Sequence, residues 1–299
     1  MINTHILSRE FEYLEPKTID EAVQLLAAHG EKGKLMAGGT DLLVEMKMDR
    51  LRPERVINIS KIPGLRYLNE GKGLRIGSLT PFREIENSRT IESRYAALHE
   101  AARSISSVQI KNMGTLGGNL CHGSPAADSA PPLIALGAKV RLLAAGGERA
   151  VSLEEFFLGP GQTVLSPREL LVEIEVAEPT TNTGSSFLKM TRVAADLAKV
   201  SVAVVIRREG EVCSDCRVVL GAVAKVPMRA IRTEELLRGK RLNEEVATQA
   251  GHRASEEIQP ITDIRSTAGY RRELSKVMVR DAILMAWKRA AGLGMAHGA

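Results

Sequence analysis

The stretch that decides the fold reads Lys34-Leu35-Met36-Ala37-Gly38-Gly39-Thr40-Asp41-Leu42. Its apolar first half predicts a short strand, and the residues from Leu42 onward predict a helix. Two adjacent glycines let the backbone approach a ligand closely and expose successive N–H groups, which hold phosphate oxygens well. Thr40 precedes the helix, whose N-terminus adds positive potential. These properties make the stretch a candidate for a phosphate-binding turn.

A second glycine-rich stretch, Gly114-Thr115-Leu116-Gly117-Gly118-Asn119, lies later in the chain. Thr115 and Asn119 would add side-chain hydrogen bonds to a ligand. Each stretch alone is more simply an ordinary glycine turn. As a pair they leave two interpretations open: two ordinary turns, or two segments that bind the phosphates of a dinucleotide from opposite sides. Neither matches the Rossmann or P-loop glycine pattern, so both of those folds are disfavoured.

The composition is that of an ordinary globular protein. The 299 residues are 44% hydrophobic and 26% charged, with a net charge of +5, and this length favours two domains. Only 3% of the residues are aromatic, which leaves little for stacking on bases, so no nucleic-acid partner is expected. The apolar run near residues 200–206 is far shorter than the ~20 residues of a membrane span. Residues 1–5 lack the pattern of a secretory leader. A cytoplasmic chain without an integral membrane segment is predicted.

Local patterns predict a mixed α+β protein. Thr18 and Glu21 form a capping box ahead of a helix that ends at Gly30. Thr80 is predicted to cap a helix with Pro81 at its first position. Residues 178–186 are predicted to form the main linker. Beyond it, segments 187–191, 200–207 and 217–223 predict a three-stranded antiparallel sheet, followed by helices.

Motifs for metal binding and catalysis are mostly missing. His99 begins a zinc-protease pattern, but Arg103 stands where the second histidine is needed. Cys213 and Cys216 have metal-like spacing without a second pair, so two buried or edge thiols are predicted. No catalytic or metal-binding residue is assigned.

Two polar residues follow the second glycine stretch. His122 lies next to that stretch and Asp128 comes six residues later. Asp128 would accept a hydrogen bond from a sugar hydroxyl in a shared pocket. The residues alone favour the alternative that Asp128 caps the helix that follows it.

These residues resemble a known family. The first stretch, and the second together with Ser124-Pro125-Ala126-Ala127-Asp128, are similar to the two FAD-pyrophosphate segments of the molybdopterin dehydrogenase flavoprotein family. Asp196-Leu197-Ala198-Lys199-Val200 and Leu220-Gly221-Ala222-Val223-Ala224 resemble its C-terminal signatures. The likeness covers nearly the whole chain, in the same order and without a large insertion.

The resemblance implies a vanillyl-alcohol-oxidase-like (PCMH-type) FAD-binding fold with two subdomains. The expected parts are an N-terminal FAD-binding subdomain over residues 1–60, a middle one over residues 61–178, and a C-terminal α+β domain over residues 179–299 that covers the flavin. FAD is the expected cofactor.

The resemblance also implies roles for individual residues. Ala37, Gly38, Gly39, Thr40 and Asp41 would bind the pyrophosphate with Thr115, Gly117, Gly118 and Asn119. Asp128 would bind the ribose or ribityl region, which replaces the capping interpretation. Ile105 and Leu197 would pack on the flavin faces, and Lys189 would polarise its carbonyl-bearing edge. Leu165 and Leu171 would contact the adenine, and Met36, Ser106 and His122 complete the cofactor-binding set.

The implied function is electron relay in a molybdenum hydroxylase. A large subunit would carry molybdopterin cytosine dinucleotide, a small subunit would carry [2Fe–2S] clusters, and the complex would be a dimer of heterotrimers. This chain would pass electrons through FAD to an external acceptor. Two alternatives stay open: a stand-alone flavin-dependent reductase of the same fold, and a cofactor-free scaffold subunit.

Overall fold

The computed structural model describes residue 7 and residues 9–292. The prediction about residues 1–5 lies outside this part of the chain. The first elements are β1 (Glu12–Leu14), α1 (Ile19–His29), β2 (Gly33–Met36), α2 (Leu42–Lys47) and β3 (Arg55–Asn58). The three strands form a parallel sheet in the order β1-β3-β2. Helix α1 packs on this sheet through a small apolar core.

Helix α1 begins and ends as the sequence predicts. The Thr18 hydroxyl accepts a hydrogen bond from the Glu21 N–H at 3.1 Å, and Gly30 ends the helix with a φ of 52°. The Glu21 carboxylate accepts from the N–H of Lys17 at 2.7 Å, one residue earlier than the capping box predicted. The cap therefore satisfies one of the free N–H groups of the first turn, that of Glu21.

The middle part of the chain contains a second sheet and most of the short helices. Its elements are β4 (Leu68–Asn69), β5 (Leu74–Gly77), α3 (Phe82–Asn87), α4 (Arg89–Arg94), α5 (Ala96–Ser104), α6 (Val108–Met113), α7 (Leu116–His122), α8 (Ala130–Ala135), β6 (Lys139–Ala144), β7 (Gly147–Ser152), α9 (Leu153–Phe156), β8 (Phe157–Gly159), β9 (Gln162–Thr163) and β10 (Leu170–Val176). The antiparallel five-stranded sheet has the order β4-β5-β10-β6-β7. Alternate residues of β5 and β6, such as Ile76 and Val140, enter a core shared with the helices.

The last part is a four-stranded antiparallel sheet packed against helices. Its elements are β11 (Thr183–Met190), β12 (Val200–Glu209), β13 (Val212–Gly221), β14 (Met228–Arg229), α10 (Ile231–Leu237), α11 (Glu244–Glu257) and α12 (Ala268–Ala290). Strand β12 is buried on both faces, because Val202 and Val204 enter a core with α11 and α12, whereas Ala203 enters the core of the middle part.

Several predicted details are wrong. The sheet has a fourth strand, β14, and β11 begins inside the segment predicted to be a linker. Pro81 lies at the N-cap of α3 and the helix begins at Phe82. The Thr80 hydroxyl does not cap this helix, since it donates to the Tyr67 carbonyl at 2.7 Å.

The two cysteines and the histidine of the metal-like motifs are buried. The thiols of Cys213 and Cys216 are buried in the C-terminal core. His99 is buried, and its Nε2 lies 3.0 Å from the Glu86 carbonyl oxygen. Among the residues that the structure describes, no group of His, Cys, Asp and Glu can hold a metal. No helix in the same part of the chain is long and apolar enough to cross a membrane.

Candidate functional site

The principal cleft lies between the N-terminal sheet and the middle part of the chain. Its volume is about 820 Å³, at the upper end of the range for small-molecule and cofactor sites. The predicted residues that line it are Ala37, Gly38, Gly39, Thr40, Asp41, Thr115, Gly117, Gly118, His122, Leu165 and Leu171. The structure thus brings both glycine stretches into one cavity.

The two glycine stretches are in direct contact. A Cβ atom on Gly38 would lie 1.9 Å from the carbonyl oxygen of Met113 and 3.2 Å from the Cα of Gly114. A Cβ on Gly118 would lie 3.7 Å from the Cβ of Ala37. Glycine is needed at position 38 because no side chain fits between the two backbones. The predicted convergence of the two stretches is confirmed.

The two stretches differ in how many of their backbone N–H groups lack a hydrogen-bond partner. Within residues 9–292, no hydrogen-bond partner is found for the backbone N–H groups of residues 38–41. The second stretch is not a loop as predicted: residues 116–119 form the first turn of α7. There the N–H of Gly117 donates to the Ser78 carbonyl at 2.9 Å, and that of Gly118 donates to the Thr115 hydroxyl at 3.1 Å. Most of the open donors therefore belong to the first stretch.

A buried hydroxyl also lines the cleft without a partner. Ser78 is 4% exposed, and its Oγ has no hydrogen bond in the described part of the chain. A buried polar group left unsatisfied costs about 1–3 kcal/mol. Sequence reasoning missed Ser78, since a lone serine between two apolar segments carries no distinctive signal. With the open N–H groups, it suits a ligand that is rich in oxygen.

The other predicted residues lie outside the walls of the cleft. They are Met36, Ile105, Ser106, Asn119, Asp128, Lys189 and Leu197. Met36 is adjacent, because its Sδ lies 3.5 Å from a Cβ built on Gly39. The Asn119 side-chain oxygen accepts from the Ser129 hydroxyl at 2.6 Å, and Leu197 is 44% exposed. Their roles toward the cofactor stay predictions.

A second cluster lies near α5. It consists of Ser104, Ile105, Ser106, Asp128 and Lys189. The Lys189 ammonium donates to Asp128 Oδ2 at 2.7 Å and to the Ser104 carbonyl at 3.1 Å. Ile105 is buried next to Ser104, and Ser106 has a φ of 28°. Such positive φ values are uncommon outside glycine and concentrate at functional sites.

Asp128 in this cluster is buried and only partly satisfied. It does not cap α8, whose N-cap is Ser129, so the capping interpretation is wrong. Its Oδ1 has no partner among the described residues. Burial raises the pKa of Asp128 from 3.8 to about 6, against the opposing effect of Lys189. The carboxyl group therefore titrates close to physiological pH.

This raised pKa predicts a pH-dependent stability. A carboxyl group with a higher pKa in the folded state binds more protons when folded, so its ionisation lowers stability as the pH rises from about 4 to 6. The contribution is about 3 kcal/mol for a shift of this size. The free energy of unfolding of Asp128→Asn, relative to wild type, should therefore rise by that amount over the same interval, as measured by urea denaturation. Parallel curves for the two proteins would contradict the assignment.

A further segment, which the sequence did not reveal, lines one wall of the cleft. Residues 161–169 line the cavity with Leu165, Ser166, Pro167 and Glu169 among others. Only Leu165 had been singled out. The glycines at 159 and 161 were the available signal of a turn near a ligand.

Comparison with known families gives two matches along the chain. The model described as the FAD binding domain in molybdopterin dehydrogenase matches residues 9–179. The chain belongs to the molybdopterin dehydrogenase flavoprotein family. The model of the CO dehydrogenase flavoprotein C-terminal domain matches residues 185–286 of this family member. The expected fold class and the expected cofactor, FAD, are those of the family.

Similar flavoproteins match along nearly their full length. The carbon monoxide dehydrogenase medium chain of Hydrogenophaga pseudoflava is 36% identical over 282 residues, 94% of this chain and 98% of that protein. The xanthine dehydrogenase FAD-binding subunit of Escherichia coli is 31% identical over 284 residues, 94% of this chain and 97% of that protein. A solved carbon monoxide dehydrogenase from H. pseudoflava matches with a TM-score of 0.92 and 36% identity, covering 95% of this chain and 99% of the other. The chain is thus an oxidoreductase flavoprotein subunit of the kind found in carbon monoxide and xanthine dehydrogenases.

Proposed function

We propose that the chain is the FAD-binding electron-transfer subunit of a molybdenum hydroxylase complex. It would receive electrons from [2Fe–2S] clusters of a small partner subunit and deliver them to an external acceptor. A large partner subunit would carry molybdopterin cytosine dinucleotide, and the complex would be a cytoplasmic dimer of heterotrimers. The relatives named as medium chain and FAD-binding subunit support this proposal.

The residues of the cleft fit the diphosphate of FAD. The open N–H groups of residues 38–41 would donate to its oxygens, and the Ser78 hydroxyl would satisfy its own hydrogen bond there. Gly117 and Gly118 would let the backbone of α7 approach from the other side. Leu165 and Leu171 would supply apolar contact for the adenine.

The second cluster would hold the flavin end. FAD, when bound, supplies the one- and two-electron redox chemistry that side chains lack. Lys189 uses two of its three N–H donors on Asp128 and Ser104, so the third would serve the carbonyl-bearing edge of the ring. The unpaired Oδ1 of Asp128 would accept from a ribityl hydroxyl. Ile105 and Leu197 would lie against the ring faces.

One observation carries the proposal. Two backbone segments more than 70 residues apart meet at Gly38 and Met113, and the residues of the first segment that have open N–H groups line the cleft. Residues 38–40 are half-buried and Asp41 is exposed, so these unpaired donors at the start of α2 are accessible to a ligand.

The test is an electron-transfer assay on the complex. We expect the chain purified with its partners to show flavin absorbance bands and one FAD per chain. Removing FAD should leave reduction of the iron–sulfur clusters by substrate intact and stop transfer to a dye acceptor. The same preparation with FAD restored is the control. Full transfer by the FAD-free complex, or NADH-dependent turnover by the isolated chain, would contradict the proposal.

A further inference from the structure

A surface segment, residues 161–169, forms a strap along one wall of the cleft. It enters at the N–H of Gly161, which donates to the Gly123 carbonyl at 3.0 Å. Leu165, Ser166 and Pro167 in its middle line the cavity. The segment has only a two-residue strand of its own, so its position depends on contacts with other parts of the chain.

One ion pair fixes the far end of the strap. Arg149 on β7 donates through Nε to Glu169 Oε1 at 2.6 Å and through Nη2 to Oε2 at 2.9 Å. The same Nη2 donates to the Val164 carbonyl at 2.9 Å. Glu169 Oε2 also accepts from the Ser166 N–H at 2.7 Å. The pair therefore joins the end and the middle of the strap to an edge strand of the five-stranded sheet.

The geometry of this pair is better than that of an ordinary surface ion pair. Two parallel N–H···O bonds between a guanidinium and a carboxylate add geometric specificity to charge attraction. The Glu169 side chain is 11% exposed and that of Arg149 is 46% exposed. Hydrogen bonding by Arg149 holds the pKa of Glu169 below its usual value, so the carboxylate is charged at neutral pH.

The strap also reaches the opposite wall. The Nε of Arg168 would lie 3.8 Å from a Cβ on Gly30, at the end of α1. Glu31 and Lys34, just beyond that point, line the cleft. The strap thus extends from the middle sheet to the N-terminal part of the chain, across the side of the cleft that contains Leu165.

We infer that the Arg149–Glu169 pair is a latch that holds the strap over bound FAD and sets the rate at which FAD leaves. Arg149 is a positioning residue: it does not line the cleft and acts through Glu169 and Val164. This inference rests on the proposed function, because it requires FAD in the cleft.

The experiment measures release of FAD from the loaded full-length chain, followed as the gain in flavin fluorescence after a large dilution into buffer without FAD. Arg149→Ala and Glu169→Gln should each release FAD about three- to tenfold faster, the range expected for losing a well-formed hydrogen bond. Arg149→Lys should recover part of the effect, since lysine cannot bridge both oxygens. Arg253→Ala is the matched control, because Arg253 is 43% exposed and pairs with Glu256 on α11.

A double variant tests whether the two residues act together. If they form one latch, Arg149→Ala with Glu169→Gln should release FAD no faster than the faster single variant. Multiplied effects, or single variants within twofold of wild type, would overturn the inference and leave the FAD site intact. So would a fall in the unfolding temperature of the FAD-free chain beyond that of the Arg253→Ala control. A chain that never binds FAD would overturn both the inference and the proposed function.

Discussion

Replacing Gly38 by alanine is expected to reduce FAD affinity by at least a hundredfold. The new Cβ would lie 1.9 Å from the Met113 carbonyl oxygen and 2.7 Å from its carbonyl carbon, so the two backbones must separate. That separation would move the open N–H groups of residues 38–41 away from the diphosphate. Forced overpacking of this kind costs about 1–3 kcal/mol in stability, and the lost phosphate contacts add to the loss of binding. Titration of the FAD-free chain with FAD, followed by flavin fluorescence, measures the effect.

The matched control is Gly146→Ala in the turn between β6 and β7. A Cβ at Gly146 meets nothing within 4 Å, so affinity for FAD should stay within twofold of wild type. Circular dichroism would establish that the Gly38→Ala chain is folded. A folded Gly38→Ala protein that binds FAD as tightly as wild type would refute the assignment of the cleft.

Replacing Lys189 by methionine is expected to destabilise the protein by about 3–5 kcal/mol near pH 8, since it leaves the Asp128 carboxylate buried without its counter-charge. The pKa of Asp128, already raised to about 6, should rise further in the variant. Stability should therefore fall as the pH rises through that value, and the loss should be smaller at pH 5, where the carboxyl group is protonated. Urea denaturation at a series of pH values gives the measurement.

The control for this variant is Lys276→Met. Lys276 pairs with Glu273 on the surface of α12, where Glu273 is 69% exposed, so the change should stay within about 0.5 kcal/mol. Adding Asp128→Asn to Lys189→Met should restore much of the lost stability. A loss that is the same at pH 5 and pH 8 would show that the ion pair is not its cause.

The sequence predicts those elements that depend on interactions between neighbouring residues. The Thr18 cap and the Gly30 stop of α1 need only neighbouring residues, and the structure contains both. Strand β12 was predicted because its apolar run is short and bounded by turn residues. The glycine stretches were recognised for the same reason, as runs of consecutive residues with an uncommon composition.

Features that depend on distant partners could not be predicted in this way. Thr80 has the composition of a cap, but the Tyr67 carbonyl takes its hydroxyl. Strand β14 has two residues and exists through its pairing with β13. Arg271 lies in α12, a helix whose many basic residues are typical of a solvated face, yet it is 3% exposed and donates to the carbonyls of Lys199 and Ala222. In each case the deciding partner lies outside the local sequence pattern.

Strand β12 contributes side chains to two hydrophobic cores, which limits where the chain can be cut. The two family matches meet near residues 179–185, a point at which a shorter recombinant protein would naturally be cut. Ala203 and Val219 of the C-terminal sheet, however, belong to the core of the preceding part. A fragment ending there would present a bare apolar surface to water and self-associate. We therefore expect the two family modules to fold as one unit, and gain or loss of the C-terminal module in evolution would require a replacement cover for that surface.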